Sequence, residues 1–334
     1  MTREEFREIL VDWCRSDVDS QNVYSETKAM IEFFEKVLFE EYVPVRAGDH
    51  GAFGLRLARW IGSAEIENDR RNLFLLLRYL FFLGPEDMKS AHLTAYSKNV
   101  LSWLIEIGSI PLFSPTAMND LRQLVADTAF TEITDSFDVS TFVRINNIHG
   151  ERIRFNWAQH IDNWDGNYFR ETVLQNGRKR YLALFEDFVG SGSQVEDAIR
   201  VACEIDQNLH VLFCPIIICP RGAVMAKGLA NHYANLTYSP VLELTDEHFI
   251  SRRRQPNENA DFQEIRETLI NVHTKVAGSH GSWAQWRGPF GYRDTGALIV
   301  KFDNCPDNSV PALHHRSDLG WNPLFYRASR EPLT

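Results

Sequence analysis

The stretch 181–194, Tyr-Leu-Ala-Leu-Phe-Glu-Asp-Phe-Val-Gly-Ser-Gly-Ser-Gln, constrains the fold more than any other part of the chain. An apolar run ends in two adjacent acids. Two more apolar residues follow, and a Gly/Ser loop then leads into a helical pattern opening near Val195 and Glu196. That order predicts strand, loop, helix. A helix entered through such a loop presents consecutive backbone N–H groups to an anion. Glu186 and Asp187 stand where the strand gives out, at the carboxyl edge of a sheet, which is where ligands bind in open α/β folds. Amides beside paired carboxylates suit a phosphorylated sugar. The amides of Gly190, Ser191, Gly192, Ser193 and Gln194 take the phosphate, and the acids accept hydrogen bonds from ribose hydroxyls or hold Mg2+. A tight strand-to-helix turn without a ligand is the plainer reading of the same residues.

Two other phosphate loops do not fit. A Walker A loop requires Lys after its last Gly, and none follows Gly192. A dinucleotide fingerprint requires a third Gly where Val195 stands. The pattern acid-Asp-apolar-apolar-small-Ser-Gly instead resembles the phosphoribosyl-diphosphate loop of type I phosphoribosyltransferases. Gly190 stands where that superfamily usually has Thr or Ser, and Gln194 where it usually has another hydroxyl. Ser191 and Ser193 remain to contact a phosphate.

At 334 residues the chain has room for one or two domains. A net charge of −10 argues against a broad nucleic-acid footprint. The opening Met-Thr-Arg-Glu-Glu-Phe lacks a basic region followed by an apolar core, so no secretory signal is expected. The longest apolar runs, around Leu73–Leu83 and Val211–Cys219, are too short to span a bilayer. The five cysteines, Cys14, Cys203, Cys214, Cys219 and Cys305, contain no Cys-x-x-Cys and read as buried free thiols. A reducing cytoplasm fits.

Residues 1–128 carry helical periodicity: Phe6, Ile9, Leu10 and Trp13 form one stripe, and Ile31, Phe34, Val37 and Leu38 another. Helices are expected over 51–61, 67–83, 85–107 and 115–129. From about residue 129 the pattern alternates. Strands are expected at 130–134, 180–185, 209–219, 239–244 and 295–302. Helices are expected at 139–148, 156–174, 195–206, 221–233 and 261–276, with Ala223, Ala226, Gly228 and Ala230 permitting close packing in the last but one. Such alternation argues for an α/β fold with a mainly parallel sheet. The expected division is a helical N-terminal domain over 1–128 and an α/β domain over 129–334.

Further candidates are weaker. The last strand delivers Asn304 and Asn308 to a turn, either as ligand contacts or as an ordinary Asx turn. The loop Thr134-Asp135-Ser136 follows the first strand of the sheet, and Asp135 and Ser136 are secondary site candidates. Arg178-Lys179-Arg180 and Arg252-Arg253-Arg254 read as solvated loops or as phosphate contacts. Trp283-Ala284-Gln285-Trp286-Arg287 reads as a packed lid or a base-stacking loop. The eleven histidines show no zinc spacing. No Gly-x-Ser-x-Gly elbow is present, so a serine hydrolase is not indicated.

Taken together, Glu186–Gln194, Gly291-Tyr292-Arg293-Asp294, Ala297–Val300, Asn304–Pro311 and Trp321-Asn322-Pro323-Leu324-Phe325 resemble the phosphoribosyltransferase-like conflict-effector family of bacterial antiphage systems. The likeness covers roughly residues 130–330, and in that family Gly and Gln at positions 190 and 194 are expected. The resemblance implies a type I phosphoribosyltransferase-like sheet and a cytoplasmic effector silenced by partners until infection. A retron reverse transcriptase with its RNA/DNA hybrid and a small winged-helix protein are the implied partners. Phosphoribosyl diphosphate or a nucleotide is the implied ligand, with or without Mg2+ on Glu186 and Asp187. These two acids are the catalytic candidates, breaking or transferring a nucleotide-like glycosidic bond. The alternative is an idle phosphoribosyltransferase-like module that binds a nucleotide or docks on a reverse transcriptase–nucleic acid complex. A homo-oligomer is left open.

Overall fold

A computed structural model describes residues 1–19, 22–44, 51–149, 157, 170–171, 179–256, 258–279 and 288–327. Its contacts divide the chain into two compact units, residues 1–85 with 246–334, and residues 86–245. This cut differs from the expected one at residue 128. Composition changes at 128, where helices give way to strands. The helices just before that point nevertheless belong with the large sheet, and the C-terminal segment folds with the N-terminal helices.

The first unit opens with α1 (Arg3–Arg15), α2 (Val23–Val37), α3 (Phe53–Ser63) and α4 (Glu67–Leu76). The Thr2 side chain and Glu5 form a reciprocal capping box at the start of α1, and Phe6, Leu10 and Trp13 bury its apolar stripe. The run expected as one helix to residue 83 breaks after Leu76. A 3-10 turn follows, then β1 (Phe81–Leu83). Its nearly all-round apolar surface suits a short buried strand as well as a helix, and periodicity alone does not separate the two.

The chain then forms the second unit. It begins with α5 (Pro85–Thr94), a π-helical turn at Ala95–Val100, α6 (Leu101–Ile107) and α7 (Ala117–Ala126). Next come β2 (Thr128–Glu132), α8 (Val139–Ile145), β3 (Tyr181–Val189), α9 (Glu196–Ile205), β4 (His210–Ile218), α10 (Pro220–His232), β5 (Leu236–Tyr238) and β6 (Leu242–Glu243). The expected helix over 156–174 falls almost wholly outside the described residues. The first unit resumes with α11 (Asp261–Ala277), β7 (Ile299–Lys301) and α12 (Pro311–His314). β7 pairs in parallel with β1 in a two-stranded sheet of its own, so the strand expected at 295–302 is not part of the large sheet.

The large sheet is parallel throughout, in the order β2-β3-β4-β5, with β6 on the far end of β4. Every residue of β3 is buried, as expected for a central strand covered on both faces. On one face Leu182, Leu184, Val211 and Phe213 pack with Ala198, Ile199 and Ala202 of α9 and Ala223, Ala226 and Leu229 of α10. Phe185 packs with Phe137 and Phe142, its ring centroid 4.5 Å from that of Phe142. Among the expected small packing residues of α10, Gly228 faces open space. The close approach falls six residues earlier, at Gly222, where a Cβ would stand 2.7 Å from the Gly190 carbonyl oxygen.

Of the strand expected at 239–244 only Leu242–Glu243 forms, as β6, and a break around Pro240 separates it from β5. The reason lies in β4. Pro215 sits in mid-strand and has no N–H. Val241 N–H donates to the Pro215 carbonyl at 3.0 Å, so the missing Pro215 donor would have served the Ser239 carbonyl. The Asn99 side-chain amide, carried on the π-helical turn, donates there instead at 3.1 Å and to the Pro240 carbonyl at 3.0 Å. Among the described residues no helix is long and apolar enough to cross a membrane.

Candidate functional site

β3 delivers Glu186 and Asp187 near the carboxyl edge of the sheet, and both are only 3% exposed. The turn that follows the neighbouring strand β2 meets them. Thr134 N–H donates to Glu186 Oε2 at 3.1 Å, and the Thr134 hydroxyl donates to Oε1 at 2.7 Å. The Ser136 hydroxyl contacts Glu186 Oε1 and lies 2.6 Å from Asp187 Oδ1 and 2.8 Å from the Thr134 hydroxyl. Consecutive strand residues ordinarily point to opposite faces. Here both acids reach the single Ser136 oxygen. The surroundings are therefore a nest of hydroxyls.

Counting protons in this nest shows how it is charged. Four contacts join Thr134 Oγ1, Ser136 Oγ, Glu186 Oε1 and Asp187 Oδ1. Two hydroxyls supply two protons, because each has a single O–H to donate. A third proton, on a carboxyl group, serves a third contact, and the fourth is met only by sharing one of these protons. The electrostatics agree. Burial first, and then the neighbouring Asp187 charge, push Glu186 up to about 8, against the opposing hydrogen bonds from Ser136 and Thr134. Two adjacent carboxyls sharing a proton behave as one coupled acid with a single negative charge near neutral pH.

This shell bears on Mg2+ binding. Both Glu186 oxygens already accept hydrogen bonds, Oε2 from the Thr134 N–H and Oε1 from the Thr134 hydroxyl. Among the described residues no group of three or more His, Cys, Asp or Glu gathers to hold a metal. A metal ion on Glu186 would have to displace the Thr134 and Ser136 donors from its oxygens.

The Gly/Ser loop leaves β3 at Gly190 and enters α9. Gly192 adopts φ +87°, a left-handed conformation that favours glycine, and a Cβ there would strike the Met225 side chain. The Gly192 carbonyl takes the N–H groups of Val195 and Glu196, each at 3.0 Å. Among the described residues the N–H groups of Ser191, Gly192 and Gln194 reach no acceptor. The Ser191 and Ser193 hydroxyls lie 3.1 Å apart at the surface, and Gln194 is exposed. The loop thus offers hydroxyls and unspent amides at a helix N-terminus, on the strand that carries the acids. Glu196 and Asp197 follow in the first turn of the helix.

The other candidates fall into three groups. Asp135 is exposed at the tip of the turn whose hydroxyls hold the acids, and Thr134, absent from the narrower candidate set, makes as many contacts to Glu186 as Ser136 does to both acids. A polar turn after a strand next to the acidic one was the signal available for it. Asn304 and Asn308 belong to the first unit and to a different sheet from Glu186 and Asp187. Asn304 accepts from Cys305 N–H at 3.0 Å, and the Asn308 amide donates to Thr295 Oγ1 at 3.1 Å. Of the basic clusters, Arg180 pairs with Asp127 at 2.9 Å, Arg252 with Asp294 at 2.9 Å and Arg254 with Glu258 at 3.8 Å. Arg178 and the Trp283–Arg287 loop lie outside the described residues.

The family model PRTase-CE matches residues 57–327, well over half of the chain. Comparison with curated proteins and with solved structures gave no match.

Proposed function

The chain belongs to the PRTase-CE family, a phosphoribosyltransferase-like effector family, and from that premise we propose that the 186–194 segment is its ribose-phosphate receptor. The observation that carries the reading is the pairing, on one buried strand, of two coupled acids with a Gly/Ser loop whose amides are unspent. The amides of Ser191, Gly192 and Gln194, with the hydroxyls of Ser191 and Ser193, hold a 5-phosphate. Glu186 and Asp187 accept hydrogen bonds from the ribose hydroxyls. Their single shared negative charge stabilises the positive charge that develops on the sugar as the C1–N or C1–O bond of a nucleotide-like substrate lengthens. The shared proton gives the pair a donor as well as an acceptor, the condition under which one carboxyl serves as an acid while its neighbour stays charged. The ribosyl group passes to water or to an acceptor.

In this reading the protein is an antiphage effector of the cytoplasm, restrained by partner components until infection. The effector character of the family and five free cysteines, four of them buried, support it. Metabolite profiling of cells expressing the wild type and a Glu186→Gln/Asp187→Asn variant tests the activity. A ribosylated or free-base species made only by the wild type is expected. Identical metabolite pools and identical toxicity would overturn it.

A second reading has an observation of its own. The hydroxyl shell satisfies both Glu186 oxygens from within the chain, as in an idle module that binds a nucleotide or docks on a partner without turnover. Binding without any new product supports that module.

A further inference from the structure

We infer that the Thr134-Asp135-Ser136 turn is a built-in substitute for the ribose diol, holding the acid pair shut until ligand or partner displaces it. The inference rests on the ribose-phosphate reading of the 186–194 segment and adds how that receptor is closed.

The turn presents two hydroxyls 2.8 Å apart, each donating to the acids. The vicinal hydroxyls of a ribose form the same kind of unit, two O–H donors at hydrogen-bond separation directed at a carboxyl pair. Thr134 and Ser136 come from one turn with a single residue between them, so the pair moves as a unit. Their contacts occupy acid oxygens a sugar would use: the Thr134 hydroxyl lies on Glu186 Oε1, and the Ser136 hydroxyl lies between Glu186 Oε1 and Asp187 Oδ1. Sugar and turn therefore compete for the same acceptors.

The turn is also placed to move. Thr134 and Ser136 are half-buried and Asp135 is exposed, while the acids beneath are 3% exposed. The residues on either side are anchored. Ile133 is buried, and its N–H donates to the Phe185 carbonyl at 2.9 Å. Phe137 stacks on Phe185 with ring centroids 5.2 Å apart and planes 10° from parallel. Only the three residues between these anchors need lift. An occluding equilibrium lowers apparent affinity by the fraction of open molecules, so removing the occluding hydroxyls tightens binding.

The test titrates the full chain and a Thr134→Val/Ser136→Ala variant with ribose 5-phosphate and with 2-deoxyribose 5-phosphate by calorimetry. If the open form is about a tenth of the population, the variant binds ribose 5-phosphate about tenfold more tightly, with a smaller gain for the deoxy sugar. Equal or weaker binding of ribose 5-phosphate by the variant overturns the inference and leaves the receptor reading standing. No binding by either chain overturns both. Amide hydrogen exchange on the wild type needs no variant. Ribose 5-phosphate is expected to speed exchange across residues 133–137 as the Thr134 N–H loses its Glu186 acceptor. Slowed or unchanged exchange in the sugar-bound protein contradicts the inference.

Discussion

The turns after β3 and after β7 both follow a parallel strand with polar residues, yet they spend those residues differently. After β7, Asn304 caps Cys305 N–H, the Asn308 amide holds Thr295, and the buried Ser309 hydroxyl donates to the Ile299 carbonyl at 2.7 Å. Those three groups meet neutral partners, and the acid of that turn, Asp303, faces the oppositely charged Lys301 at 3.6 Å. Along and after β3, two carboxyls are buried against two hydroxyls and push Glu186 up to about 8, while nearby loop amides find no acceptor. What sets the β3 turn apart is two adjacent carboxyls buried on one shared hydroxyl.

The largest expected contrast is catalytic. Asp187→Asn removes the charge of the pair and should lower turnover about 10²-fold or more, the loss typical of removing a preorganised electrostatic group. Asn304→Ala and Asn308→Ala should leave ribose-phosphate affinity within about twofold, because they belong to the other compact unit and share no hydrogen bond with the acids. Calorimetry and product analysis on the three variants check this. A matching loss in Asn308→Ala would erase the distinction.

Next is pH. Glu186 is raised from 4.5 to about 8 in the folded chain. Between those values the folded state keeps a proton that the unfolded state has released. Its contribution to stability is therefore complete below pH 4.5 and is lost as pH rises through about 8. One such proton contributes a slope of at most about 1.4 kcal/mol per pH unit. Urea titrations from pH 5 to 8 should show stability falling in the wild type, with a flatter profile for Glu186→Gln. Parallel profiles would mean that the acid is not protonated in the fold.

Gly192→Ala should follow. It forces a side chain into φ +87° and toward Met225, so a loss of about 1 kcal/mol or more is expected, with weaker phosphate binding. A melting curve and a phosphate titration measure both. The smallest effect belongs to the β7 turn. Asn308→Ala removes a hydrogen bond from a side chain 4% exposed and should lower stability by about 1 kcal/mol without altering the acid pair's pH profile.

The strand–loop–helix frame of the candidate site was legible because its signal is local. A strand, two acids, a Gly/Ser loop and a helix start lie within one short run, and β3 and α9 form there. The placement of Asn304 was not legible, because β7 pairs with β1, which lies far away in sequence and was expected to be the end of a helix. Strand pairing over such a distance leaves no trace in local periodicity. The wrapping of Glu186 by Thr134 and Ser136 was only half legible. The turn stood out as polar, but which strand it would lie beside depends on β2 and β3 being neighbours. The division at residues 85 and 245 was hidden for a related reason: composition marks where strands begin, and compact units are set by which elements pack together.

The account turns on Asp187 and its partner as the receptor of a sugar phosphate. Calorimetric titration of phosphoribosyl diphosphate into the wild type and into Asp187→Asn, both shown to be folded by circular dichroism, tests it most directly. The account predicts saturable one-site binding by the wild type and its loss or severe weakening in the variant. Equal affinity in the two proteins, or no heat in either, would contradict it.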